Sequence, residues 1–512
     1  LRVLSMSFMV LTLVVGFSVA VLAAPAVGVL CKHLQIVDRP DGHRKLHSTI
    51  VPLTGGPTLL ISIVCAVAAG IAWQPDALAA TRGDAWFLLC LSLATAVLIT
   101  VGMLDDRFGL RGRQKLAGQI LAAAIMVPSG IEIRSVTVFG EPVSLGVFSV
   151  FFTVFWIVGA INALNLIDGV DGLASTTGIV LSLSIAAVTF LQQGRNDGLL
   201  ISLALAGALC GFLVYNFPPA RMFLGDSGSM LIGLVLGTVA LKCSVKQYTA
   251  VALIMPTAIW AIPIFDVAMA IVRRRLTGRS IYATDRGHLH HCLQRRGHTG
   301  ARLLLVVGTL CAITGMGAIA SAFFENEIYA IASVITAVSL LVVSRSFGHT
   351  EMTLMAKRFR RITVSMFTRR RHGDTMHHEQ IRLQGHHEWA LLWDALMHAS
   401  VTQGLHFVEL TINMPSAGEF YHATYRNSHN VDAHELWRCE LPLIVDNFVI
   451  GHIRVEDSAR GQFTEWLAEL SRNLEPVQTT LHTLLVPLRR KSNPAQLTPS
   501  ATLSLMPERV GT

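Results

Sequence analysis

Eleven long apolar runs, separated by short polar loops, constrain this chain more than any other feature. They lie at roughly 4–30, 54–72, 85–104, 115–128, 146–164, 172–191, 198–217, 228–241, 249–272, 302–322 and 329–345, and one helical crossing of a bilayer takes about 20 apolar residues. The fourth and eighth are the shortest. Hydrophobic residues make up 52% of the chain and charged residues only 14%, against roughly 25% charged in ordinary soluble domains. One large water-soluble fold is therefore excluded, and so is a disordered chain, which needs low hydrophobicity. The pattern predicts a polytopic α-helical membrane protein with about 11 transmembrane helices over residues 1–345. The first run is too long for a signal peptide, Arg2 is its only early charge, and ten runs follow it; a retained helix is expected.

Lys and Arg orient the spans, because cytoplasmic loops carry the excess of both. One set of loops holds Lys32, Arg39, Arg44 and Lys45, then Arg107, Arg111, Arg113 and Lys115, then Arg221, and finally eight arginines between Arg273 and Arg302. The alternate set holds only Arg82, Arg134, Arg195, Lys242 and Lys246. The first set is read as cytoplasmic, which puts the N-terminus outside and the tail inside. The formal net charge of +8 is then mostly topology, and no nucleic-acid partner is expected. The eight cysteines show no CxxC and lie mostly in apolar runs, which argues against a disulfide framework or a zinc ribbon.

Charges beside membrane helices are costly and ask for a reason. Five polar clusters stand out, and this topology puts all five at cytoplasmic ends: residues 38–47, 102–107, 162–172, 223–229 and 285–291. Asp105 and Asp106 are adjacent carboxylates that need a cation or a shared proton, unless they are a solvated helix cap. Asp226, among glycines and serines, suits phosphate at a helix start, or is simply an N-cap. Asn165, Asp168 and Asp171 lack the calcium-loop pattern and fit Mg²⁺ better. His288, His290 and His291 lie in a basic loop that suits phosphate better than zinc, or are a hydrated cluster. Carboxylates, glycine turns and basic donors together describe diphosphate chemistry. One substrate would be a soluble phosphate compound and the other a lipid.

These residues resemble those of the polyprenyl-phosphate N-acetylhexosamine-1-phosphate transferases, over residues 1 to about 345. The likeness is carried by Asp38-Arg39-Pro40 with Arg44-Lys45-Leu46-His47 and Gly55-Gly56; by Asp105-Asp106-Arg107 with Lys115 and Gln119; by Asn162, Asn165 to Gly169 and Asp171 to Ala174; by Gly225 to Ser229; and by Asp285 to His291. The resemblance implies a helical bundle with a cytoplasmic cleft in a bacterial inner membrane. It implies transfer of a sugar-1-phosphate from a UDP-N-acetylhexosamine to undecaprenyl phosphate, with release of UMP and with Mg²⁺, for which Mn²⁺ can substitute. Asp105 would be the base with Asp106 beside it, or either would be a covalent nucleophile. Asp226, with Asp105, would bind the metal. Arg44, Lys45, His47, Lys115, Asn165, Asp168, Asp171, His288, His290 and His291 would hold substrate. The Arg-Lys-x-His and Asp-Arg-Gly-His-x-His-His loops resemble the GlcNAc-1-phosphate branch, which initiates surface glycans. The resemblance also allows a homodimer. An ion-coupled transporter would place its charges near the midplane, often in inverted repeats, and a prenyltransferase would want D-x-x-x-D pairs on two helices.

The tail departs from typical members. Residues 346–385 read as a basic linker suited to anionic lipid heads. Residues 386–488 read as a small cytoplasmic α+β domain that resembles part of a GAF-like sensor. It starts with a helix at 387–402 whose Trp389, Leu392, Trp393 and Leu396 share a face. Strands near 405–413, 419–426, 435–444 and 447–456, a turn at Asp446-Asn447 and a second helix at 463–486 follow. Residues 489–512 read as disordered.

Overall fold

The computed structural model describes residues 6–39, 50–73, 85–138, 141–192, 196–244, 253–276, 287–349, 351–353, 355–356, 377–384, 388–403, 405–414, 419–426, 436–445 and 448–458. Two compact units form, one from residues 1–272 with 288–349 and the other from 273–287 with 350–512.

Among the described residues of the first unit, eight helices are long and apolar enough to cross a membrane. They are α1 (Met6–His33), α2 (Gly55–Trp73), α3 (Ala85–Phe108), α5 (Phe148–Ile167), α6 (Leu173–Leu191), α7 (Asn196–Asn216), α8 (Gly225–Ser244) and α12 (Ala301–Phe324). The other three apolar runs are helical but shorter or broken. α4 (Gly112–Met126) has 15 residues and α13 (Ile328–Val343) has 16. The ninth run divides at Trp260 into α9 (Ile254–Ile259) and α10 (Ala261–Leu276). Pro263 explains the break: it has no N–H to give the preceding turn, and its ring crowds the carbonyl four residues back. The eighth run, short in the sequence, gains a turn because Gly225, Asp226 and Ser227 are already helical.

α8 runs through the middle of this unit, with 89% of its apolar window buried, and packs against α2, α3 and α5. α1 lies against α2 and α7 through an i, i+4 stripe of Phe8, Thr12, Gly16, Ala20 and Ala24. Small residues at such spacing let helices approach where lipid supplies no hydrophobic drive. Two strands of two residues, β1 (Val37–Asp38) and β2 (Val51–Pro52), pair antiparallel after α1. The chain after β2 then bonds to the loop before α8, through Phe223 N–H to Pro52 O at 3.1 Å and Thr54 N–H to Phe223 O at 3.0 Å. A hairpin of β3 (Ser135–Val138) and β4 (Glu141–Ser144) joins α4 to α5. The short α11 (Leu289–Arg295) follows α10, and Arg296 just after it donates to the Ser344 and Arg345 carbonyls that end α13.

In the second unit, α14 (Trp389–Gln403) buries Trp389, Leu392, Trp393 and Leu396, the face expected from their spacing. They join the alternate residues Val408, Leu410 and Ile412 of β6 (Phe407–Met414), Tyr421, Ala423 and Tyr425 of β7 (Glu419–Arg426), Cys439, Leu441 and Leu443 of β8 (Leu436–Val445), and Ile453 and Val455 of β9 (Phe448–Ser458). The sheet is antiparallel with order β5-β7-β6-β9-β8. Its edge strand β5 (His377–Gln384) comes from residues read above as linker, so the linker reading fails there. An edge strand pairs on one side only and carries more polar residues; HHEQIRLQ gave little apolar alternation to read. The expected turn at Asp446-Asn447, the helix at 463–486 and the tail at 489–512 lie outside the described residues.

Candidate active site

The site is built on the N-terminus of α8. The first N–H groups of a helix have no partner within it, and here Asp106, near the end of α3, supplies one. Its Oδ1 accepts the Asp226 N–H at 2.8 Å; its Oδ2 accepts the Ser227 N–H at 3.3 Å and the Ser227 hydroxyl at 2.9 Å. The positive end of the helix dipole favours that carboxylate. Gly225 makes the approach geometrically available: its φ is +71°, and a Cβ there would lie 2.8 Å from Asp106 Oδ2. Asp106 was expected beside Asp105 as a reacting group. Both its oxygens are instead spent on capping, so it positions α8 from outside that helix.

Neighbouring residues on a helix point about 100° apart, so Asp105 looks elsewhere. Its Oδ1 accepts the Leu110 N–H at 2.7 Å, and its Oδ2 pairs with Lys115 Nζ at 3.0 Å. Lys115, from the first turns of α4, also reaches Asp226 Oδ1 at 2.8 Å. Asn165 of α5 donates to that same Asp226 oxygen, and to Ser229 Oγ at 3.0 Å. One turn earlier on α5, Asn162 donates to Gln119 Oε1 at 2.7 Å, which braces α5 against α4. Four helices thus converge, and the lysine ammonium lies between the Asp105 and Asp226 carboxylates. The repulsion between Asp105 and Asp106 is relieved by two different partners, an ammonium and a helix end.

α5 stops at Ile167, and the turn after it carries the remaining carboxylates. Burial pushes the Asp168 carboxyl well above the usual carboxylate range, and the Asp226, Asp106 and Asp171 charges push the same way against Lys115. Asp171 Oδ2 accepts the Ala220 N–H at 2.9 Å, tying this turn to the loop that leads to α8. His290 abuts the turn: a Cβ on Gly169 would lie 2.6 Å from His290 Nε2. His288 and His290 stack with centroids 6.0 Å apart, and His291 lies 4.2 Å from His290. Burial lowers the His290 pKa to about 3, reinforced by the His291 and His288 charges and opposed by Asp266.

Asp105, Asp106, Lys115, Asn165, Asp168, Asp226 and the three histidines therefore gather at one end of the bundle, with Asp171 holding the frame. Arg44, Lys45 and His47 lie outside the described residues, as do Asp285 and Arg286. One contributor is unread in the sequence and another is read only in part. Ser227 reads there as part of a glycine-rich turn or as a helix start, and not as a partner of Asp106. Asp266, a lone carboxylate inside the apolar α10, accepts the Leu289 N–H and lies beside His288. The signal for Asp266 was present, since an ionisable residue in an apolar helix is a functional candidate by default.

The chain is similar to known proteins. Residues 88–244 match the family model described as glycosyl transferase family 4. The decaprenyl-phosphate N-acetylglucosaminephosphotransferase of Mycobacterium tuberculosis is 36% identical over 338 residues, covering 61% of this chain and 82% of that protein. A Bacillus subtilis protein named as a probable undecaprenyl-phosphate N-acetylglucosaminyl 1-phosphate transferase is 32% identical over 314 residues, covering 60% and 84%. The phospho-N-acetylmuramoyl-pentapeptide-transferase of Shouchella clausii is 30% identical over 326 residues, covering 59% and 95%.

Proposed function

The chain belongs to glycosyl transferase family 4, and from that premise we propose that it transfers GlcNAc-1-phosphate from UDP-GlcNAc to undecaprenyl phosphate and releases UMP. This would be the first membrane step of a surface glycan, carried out at the cytoplasmic face of a bacterial inner membrane. One observation above all supports the reading: Asp105, Lys115, Asn165 and Asp226 converge from four helices at one end of the bundle. Charges gathered at one end suit a reaction between a lipid head group and a soluble nucleotide, whereas a transporter would place them near the midplane.

In this reading the lipid phosphate oxygen attacks the phosphorus that bears the sugar, and the bond from that phosphorus to the UMP oxygen breaks. Asp105 accepts the proton of the lipid phosphate. Lys115 leaves its place between the carboxylates and pairs with phosphate oxygens. Asn165 orients Asp226, and His288, His290 and His291 hold the diphosphate. Asp106 keeps Asp226 at the start of α8. The donor set fits Mg²⁺, because Asp105 and Asp226 offer hard carboxylate oxygens on either side of the Lys115 ammonium. Among the described residues no group of three such side chains already forms a metal site, and Mg²⁺ characteristically takes only one or two carboxylates plus substrate phosphates. Asp226 and Asp105 would hold the ion, which when bound would neutralise diphosphate oxygens and assist departure of UMP.

The test is in-vitro transfer from labelled UDP-GlcNAc to undecaprenyl phosphate by the purified full chain. Product and UMP should form with Mg²⁺ and cease with a chelator, and Asp105→Asn or Asp226→Asn should each remove most turnover. Normal turnover in both variants would overturn the site assignment. Failure with every UDP-N-acetylhexosamine would overturn the function.

A further inference from the structure

We infer that Asp266 is a positioning residue: it holds the Nδ1–H of His288 and so turns Nε2 of that ring toward the substrate diphosphate, to which the ring donates once Nε2 also carries a proton. The inference rests on the transferase reading above. Asp266 lies in the middle of α10 with 1% exposure, flanked by Phe265 and Val267. A carboxylate so buried costs several kcal/mol unless it is bonded, and both its oxygens are engaged. Oδ1 accepts the Leu289 N–H at 2.8 Å, which seats the first residue of α11. Oδ2 lies 3.2 Å from Nδ1 of His288, itself 5% exposed.

An ionised carboxylate has lone pairs and no proton to give, so the proton between these atoms belongs to His288 Nδ1. The bond made at one ring nitrogen decides what the other can do: Nε2 is left with a lone pair, and it meets a diphosphate oxygen by taking up a proton and donating it. From His288 the contacts continue to the site. Its ring lies parallel to that of His290, with an interplanar angle of 4°, and His290 rests on Gly169 beside Asp168. The carboxylate therefore sets the direction of the histidine cluster from behind, without touching substrate. It also supplies the counter-charge when the ring takes up a proton at Nε2.

A purely structural role for Asp266 would need only the Leu289 N–H, which an asparagine can also accept. Asp266→Asn separates the two roles, because its amide NH₂ facing the ring would force Nδ1 to accept and move the proton to Nε2. In the full chain, Asp266→Asn, which takes away the counter-charge and leaves the ring neutral, should lower GlcNAc-1-phosphate transfer by roughly 10–100-fold, the range seen when the outer partner of a metal-ligating histidine is lost. In a His288→Ala background the same change should cost nothing further. Losses that multiply, or full activity in Asp266→Asn, would overturn the inference. A second readout does not depend on turnover. Histidine-labelled ¹⁵N spectra, with the His288 signals identified by their loss in His288→Gln, should show Nδ1 protonated in the native chain and Nε2 protonated in Asp266→Asn. Protonation at Nε2 in the native chain would overturn the tautomer assignment. If the native chain transfers no UDP-N-acetylhexosamine, the function reading and the substrate role of Nε2 fall together, and the spectra still decide the Asp266–His288 pair.

Discussion

His290 shows how burial converts one side chain into a pH-sensitive element. Its folded pKa is lowered to about 3 by burial first and by His291 and His288 next, with Asp266 opposing. A histidine in the unfolded chain titrates near 6.5. The unfolded state therefore binds the proton more readily, and stability present above the unfolded value is lost as pH falls toward the folded one. Between about pH 7 and about pH 5 the ligand-free protein should lose roughly 2 kcal/mol through this group. His290→Gln should flatten that loss, read as the pH dependence of the melting temperature in detergent. Equal acid sensitivity in the variant would show that another group is responsible. At the same scale, Asp105 and Asp106 are consecutive in sequence and different in work, because a 100° turn sends one to Lys115 and the other to α8.

At the scale of elements, α8 links the two ends of the bundle. Its N-terminus depends on a cap donated by α3. Asp106→Ala should destabilise the fold by roughly 0.5–2 kcal/mol, the usual cost of a lost cap, and should lower transfer further by releasing Asp226. Asp106→Asn, which keeps one acceptor, should fall between. Unchanged melting and turnover in Asp106→Ala would refute the capping role. The far end of α8 carries Lys242, buried against Asp197 of α7 and with its ammonium 3.4 Å from the centre of the Phe87 ring. Removing one member of a buried ion pair costs about 3–5 kcal/mol, whereas replacing both with apolar groups is often neutral. Asp197→Ala should therefore lower the unfolding midpoint strongly, and Asp197→Leu with Lys242→Met should recover most of it. Transfer per folded molecule should hold in both, since this pair lies at the end of α3 and α8 away from Asp105 and Asp226.

For the whole molecule, the chain divides into two compact units, and Asp105, Lys115, Asn165 and Asp226 all lie in the first. Ending the chain after residue 356 keeps Glu351, which pairs with Arg273 at 2.9 Å. That truncated chain should still transfer GlcNAc-1-phosphate at a measurable rate, assayed as UMP release. Complete loss would make the C-terminal unit structural or catalytic rather than accessory.

The sequence by itself determined the membrane class, the positions of the apolar helices and most of the polar residues that gather at one end of the bundle. These are local properties: an apolar run of sufficient length must be helical in lipid, because its backbone has no other partner there, and a charge beside such a run is conspicuous. The alternation in 407–456 likewise marked four strands, since one face of each had to be buried. Only the tertiary structure decided what each polar residue does. Nothing in Asp105-Asp106-Arg107 says that the second carboxylate caps a helix starting 119 residues later. Nothing in Lys115 says that it lies between Asp105 and Asp226. Asp266 drew no attention among apolar neighbours until the structure placed it against His288. The reason is physical: a polar group's role is set by the partner it meets across helices, and that meeting depends on how helices pack, which a linear pattern does not encode.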